Sequence, residues 1–153
     1  MVVVMSSRPE AALAGLLGAG AALATGELVT ALGHDRPSLV AAVANRFIDR
    51  FAAPLKELAV RLFGTNDKPA LVVGIVVSSL ILGAFLGLAA RRRFPIAVVG
   101  FVAFGVVGAL SFQSDARGKG ALGFVAAVLA VVAGVATTRL LLKAADRRLT
   151  APV

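Results

Sequence analysis

Pro69–Ala90 reads PALVVGIVVSSLILGAFLGLAA: 22 residues without a charge, bounded by Lys68 on one side and Arg91-Arg92-Arg93 on the other. At a helical rise of ~1.5 Å per residue, such a run reaches ~33 Å, enough to cross the hydrocarbon core of a bilayer. Three further stretches resemble it: Ala11–Gly33, Pro95–Phe112 and Ala121–Thr138. Only the first of these carries a charge, Glu27. A soluble domain of 153 residues has no interior large enough to bury four such segments. The reading is an all-α membrane protein, one transmembrane domain over residues 1–153 with spans at about 11–33, 69–90, 95–112 and 121–142.

Composition agrees with that reading. Hydrophobic residues make up 59% of the chain and charged residues 16%, against about 45–50% and 25% in soluble domains. There is no cysteine, which removes disulfides, zinc–thiolate sites, iron–sulfur clusters and a thiol nucleophile. The single histidine, His34, cannot form a bis-histidine haem site within one copy. A net charge of +8 would point to nucleic acid in a soluble protein. In a membrane protein it fits cations at a cytoplasmic face and around anionic head groups, so no nucleic-acid partner is expected. Arg8, the run Ala11–Leu23 and Ala22-Leu23-Ala24 imitate a signal peptide with a small-residue cleavage site. The apolar pattern continues through Leu28, Val29, Ala31 and Leu32, which favours a retained membrane helix.

The connections are unequal. His34–Lys68 separates the first two spans, whereas Arg91–Phe94 and Gln113–Gly120 force antiparallel neighbours. Arg91, Arg92 and Arg93 form the orientation signal, because cations in short loops favour the cytoplasmic side. Both termini then lie in the cytoplasm of a bacterium's inner membrane. Under that assignment eight Lys/Arg fall on each side, but six of the outer eight lie on the long loop, where they weigh least. Within this loop, Val40, Val43, Ala44, Phe47, Ile48 and Phe51 recur at helical spacing, and Leu55, Leu58, Ala59, Leu62 and Phe63 do so after Pro54. The spacing predicts an amphipathic outer loop over 38–63, lying in the head-group plane or covering the bundle mouth. Small residues recur every fourth position: Ala14, Gly18, Ala22 and Gly26; Ser79, Gly83 and Gly87; Ala126, Ala130, Gly134 and Thr138. Such stripes permit close helix contact in lipid.

Glu27 is the one ionisable residue well inside a span, and an embedded carboxylate is a functional candidate by default. Its place ~24 Å along the helix from Ala11 puts it near the outer interface. There it is expected to pair with Lys68 or with a loop cation among Arg46, Arg50, Lys56 and Arg61, which are also candidates for head-group contact. A proton or quinone site is the alternative. Ser78-Ser79 and Thr137-Thr138 are expected to bond to their own preceding carbonyls. No paired carboxylates, phosphate-binding glycine loop or activated nucleophile is present, so no catalytic, cofactor-binding or metal-ligating residue is assigned.

Several pieces of the chain resemble the N-terminal transmembrane domain of actinobacterial sulfite oxidase-type molybdopterin-dependent oxidoreductases. They are Gly26-Glu27-Leu28-Val29, Phe47-Ile48-Asp49, Pro54-Leu55-Lys56 and the run Phe63-Gly64-Thr65-Asn66-Asp67-Lys68-Pro69-Ala70-Leu71. The last leads into Val72-Val73-Gly74-Ile75, and the Arg cluster after the second span fits as well. The resemblance covers essentially this whole chain but only the front of the family's proteins. It implies a membrane anchor that orients an extracytoplasmic catalytic domain, with molybdopterin held on that further domain. The family's cofactor-ligating cysteine has no counterpart here. The alternative function is a small accessory subunit that stabilises a larger membrane complex, such as a respiratory one. The lipid bilayer is the partner common to both.

Overall fold

The computed structural model of the chain describes residues 7–32, 38–43, 46, 67–114 and 121–150, the side chains of 67–71 and 148–150 excepted. Four helices account for nearly all of them: α1 (Arg8–Ala31), α2 (Asp67–Arg92), α3 (Phe94–Ser114) and α4 (Leu122–Thr150). All four are long and apolar enough to cross a membrane. The protein is an all-α, multi-pass membrane protein.

Each helix boundary has a local cause. Ser7 caps α1: its hydroxyl accepts from the Glu10 N–H, and the Glu10 carboxylate accepts from the Ser7 N–H at 2.7 Å. This reciprocal box, with Pro9 in the first turn where no N–H is needed, starts α1 three residues before the apolar run. α2 begins at Asp67, so Pro69 also falls in a first turn. It stops at Arg92 because the Pro95 ring would collide with the Arg91 carbonyl if the helix continued. Only Arg93 separates α2 from α3, its N–H bonding to Ala89 and its carbonyl accepting from Ile96. α4 continues past its apolar part through Arg139, Lys143 and Arg147, 29 residues in all.

The helices close into a four-membered ring. α1 lies between α4 and α2 and makes the most extensive contacts of any helix, while α3 completes the ring between α4 and α2. Neighbours run antiparallel. Along α1, Gly18 meets Thr138 and Gly134, and Gly26 meets Ala130; Gly15 meets Gly87 and Gly83, and Gly20 meets Leu80. One end of the bundle thus collects the start of α1, the α2–α3 connection and the end of α4. We call it the arginine-rich end.

The packing is that of a protein dissolved in lipid. The buried residues are chiefly small, among them Ala11, Ala14, Ala97, Ala126 and Thr138, while Val99 and Leu140 are 68% and 66% exposed. Lipid tails compete on equal terms for large apolar side chains, so cohesion comes from close backbone approach. The stripe Ala14, Gly18, Ala22 and Gly26 does face Ala130, Gly134 and Thr138 of α4. A second stripe on α1, Ala11, Gly15 and Ala19, faces Gly83 and Gly87 of α2.

Candidate functional site

Thr30 ends α1 from within: its hydroxyl donates to the Gly26 and Glu27 carbonyls at 3.0 and 3.1 Å. The last turn is thereby fixed, and Glu27, half-buried, projects from it toward the segment that follows. Residues 39–43 form a short helical segment. Ser38 caps it, its Oγ accepting from the Ala41 N–H at 2.9 Å. The Glu27 Oε1 accepts from the Val40 N–H at 2.8 Å. Two of the N–H groups that a helix start leaves without partners are therefore satisfied, one by a local cap and one by a carboxylate 13 residues earlier. A negative charge there also favours the positive end of the local backbone dipoles.

This segment sits over the bundle mouth. Val40 and Ala42 are buried, at 7% and 1% exposure. Leu39 wedges between α1 and α3: a methyl added to Gly26 would lie 2.8 Å from Leu39 Cδ1, and one added to Gly108 would lie 3.6 Å from Leu39 Cδ2. Of the two placements open to the amphipathic loop, residues 38–43 take the one that covers the bundle. The rest of the predicted loop helices, 44–45 and 47–63, lies outside the described residues. Val40 and Val43 of the expected apolar face do turn toward the bundle, and Leu39 and Ala42, which did not belong to that face, are covered beside them.

Beneath the segment lies a cavity of about 150 Å³ among all four helices. Its walls are almost wholly apolar, with Gly26, Phe101, Phe104 and Ala130 among them. Leu39, Val40 and Val43 contribute the upper side, and Glu27 and Ser79 are the polar side chains on the lining. The carboxylate is thus placed between a covering segment and an apolar chamber. That arrangement positions a loop, and among the described residues it brings no second carboxylate or imidazole beside Glu27. Among the described residues, no group of His, Asp and Glu side chains converges to hold a metal ion.

The other singled-out residues go to different places. Arg46 donates to the Leu110 carbonyl at 3.2 Å and to the Ser114 hydroxyl, which itself donates to Leu110 at 2.8 Å. It therefore serves the C-terminus of α3, where a cation fits the free carbonyls. The side chains of Lys68, Arg50, Lys56 and Arg61 lie outside the described residues. Arg91 is half-buried and Arg92 and Arg93 are exposed, all at the arginine-rich end. Ser78 donates to the Gly74 carbonyl at 2.6 Å and Thr138 to that of Gly134 at 2.9 Å, the back-bonding expected of them. Thr138 reaches further, to the Ala14 carbonyl of α1 at 3.5 Å. Its full burial makes that cross-helix contact a dry one.

The sequence reading missed three features. The Ser7…Glu10 box was legible from its spacing. The α1–α2 stripe was hidden by alanines and glycines on nearly every side of α1. Among the described residues Glu27 is met by a backbone N–H, and no side-chain pattern announces one. Comparison of the chain with known protein families, curated proteins and solved structures yields no match. The site must be read on its own geometry.

Proposed function

We propose that this chain is a rigid membrane anchor that holds and orients an extracytoplasmic oxidoreductase domain of the sulfite oxidase type, in a bacterial inner membrane. The observation that carries the anchoring role is the α1 seam. Close contacts between α1 and both its neighbours, backbone on backbone toward α2, favour one fixed helix arrangement. The link to the oxidoreductase class rests on the resemblance of Phe63–Leu71 and its flanks. Molybdopterin belongs to the further domain in this reading, and the chain's own residues only position it. The arginine-rich end faces the cytoplasm, as the positive-inside rule directs for a connection as short as Arg93.

The test starts from membranes of the source organism. An antibody against the α4 terminus should capture a polypeptide much larger than 15.5 kDa that carries molybdenum. A 15.5 kDa species within a larger, molybdenum-free assembly would replace this reading with the accessory subunit. Orientation is checked separately by single cysteines. Gln113→Cys should react with an impermeant thiol reagent in intact cells and Thr150→Cys should not; the reverse pattern refutes the assignment.

A further inference from the structure

The arginine-rich end concentrates charge beyond what orientation needs. Its described residues include Arg8, Arg91, Arg92, Arg93, Arg139, Lys143 and Arg147, against the carboxylates Glu10 and Asp146. Glu10 accepts from the Ser7 N–H of its cap, and Asp146 and Arg147 also have partners. Arg139 and Lys143, one helical turn apart, share a face of α4 and line one groove. Like charges at that spacing repel when nothing lies between them.

The groove is about 640 Å³ and follows one face of α4, with Val98 of α3 at its side. Val98 of α3 and Val132, Val135 and Ala136 of α4 line its apolar length, with Leu140 beside the cations. Valines have few side-chain rotamers in a helix, so these walls are firm. Val131, at the far end, lies 12 positions before Lys143, or ~18 Å of helix. That length is close to one leaflet, half of a ~30 Å hydrocarbon core. Arg139 lies over the Phe94 ring, its guanidinium carbon 5.8 Å from the ring centre, a contact that favours this placement. A guanidinium over a ring, an ammonium one turn away and an apolar groove about one leaflet long complement a phosphate with an acyl chain attached.

We propose that this groove is a binding site for one anionic phospholipid, its phosphate between Arg139 and Lys143 and a chain along Val135 and Val132. The occupant bridges α3 and α4 on the outside of the bundle. It also neutralises the repulsion that the cation pair otherwise suffers.

Native mass spectrometry of the whole chain in mild detergent tests this with equimolar phosphatidylglycerol and phosphatidylcholine. The wild type should retain one phosphatidylglycerol in preference to phosphatidylcholine by about tenfold or more, as two surface cations allow. Arg139→Gln with Lys143→Gln should bring the two lipids to parity, whereas Arg92→Gln, which removes the same kind of charge elsewhere, should keep the preference. Ala136→Phe obstructs the groove with both cations intact and should lower phosphatidylglycerol retention severalfold. It decides the matter if the double variant fails to fold. Equal retention of both lipids by the wild type would overturn the proposal, as would an unchanged preference in the double variant. Displacement of phosphatidylglycerol by inorganic phosphate at the same concentration would show a free-anion site, and a second copy of the chain in place of lipid would show an oligomer contact. Either result also defeats it.

Discussion

Where α1 meets α2 the contact is backbone on backbone, and along α3 the neighbouring helices are met by side chains. A methyl on Gly15 would run into the Gly83 carbonyl oxygen and lie 2.5 Å from the Gly87 nitrogen; one on Gly87 would run into the Ala11 carbonyl oxygen. On the α3 side, glycines instead receive side chains: Leu86 of α2 covers Gly100, Phe101 covers Gly134 and Phe112 covers Gly123. The difference is one of compliance. Side-chain ends can turn to a new rotamer, but two helix backbones in contact can separate only by moving whole helices. α1 therefore sets the bundle's geometry, while α3 adjusts to it and borders the apolar cavity.

The largest expected effect comes from breaking the rigid half. Gly15→Ala should cost about 3 kcal/mol or more, because overpacking that only a backbone shift can relieve lies at the high end for such changes. Thermal unfolding in mild detergent should show it, and an unchanged transition would remove the contrast between the two helices.

The polar tether at the end of α1 should come next. A hydrogen bond to a charged acceptor contributes about 1.5–3 kcal/mol, so Glu27→Leu should release the Val40 amide to exchange with solvent roughly tenfold or more faster. Glu27→Gln keeps an oxygen acceptor and should preserve most of the protection. Hydrogen exchange at Val40 and Ala41 reads both variants. Equal protection in wild type and Glu27→Leu would mean that the carboxylate does not hold the segment. Loss of quinone-coupled turnover in Glu27→Gln, with protection and stability intact, would instead favour the proton or quinone role.

A smaller loss is expected at the cross-helix hydroxyl. Thr138→Val removes the bond toward Ala14 with little change of shape, and such bonds average about 0.6 kcal/mol within membranes. The transition in detergent should fall by only a degree or two. Gly100→Ala, the α3 counterpart of the first substitution, should have the least effect, below about 1 kcal/mol, since Leu86 need only rotate. If it matched Gly15→Ala, α3 would be as stiff as α1.

Much of this fold was legible because a bilayer imposes simple rules. Length and apolarity alone located Pro69–Ala90 and its three companions, and Pro95 and the triple arginine marked the sharpest turn. The stripes with Gly18 and Gly134 were readable because glycine in a lipid-facing helix has little use except close contact. Ala11, Gly15 and Ala19 were not distinguished, since in so alanine-rich a helix several faces qualify equally. Glu27 stood out as a candidate by charge. Its bond to the Val40 N–H did not, because that N–H is left without an intrahelical acceptor and set beside Glu27 only where Ser38 starts a helix. The lipid groove was equally silent: Arg139 and Lys143 read as ordinary interfacial cations until Phe94 and the valines of two helices are brought beside them.

The contact between Thr138 and Ala14 joins residues 124 apart in the chain. At ~5–20 residues per second of synthesis, α1 waits roughly 6 to 25 s for the helix that completes its seam. Throughout that interval its Gly18 and Gly26 face lipid, the insertion machinery or whatever helix arrives first. α2, made earlier, takes the neighbouring stripe with Gly15, and the first pair can form while the ribosome is still working on α4. Assembly thus has a built-in order, with an open glycine seam exposed to mispairing for seconds in every new molecule. A cell that makes this protein quickly must keep such half-built bundles apart.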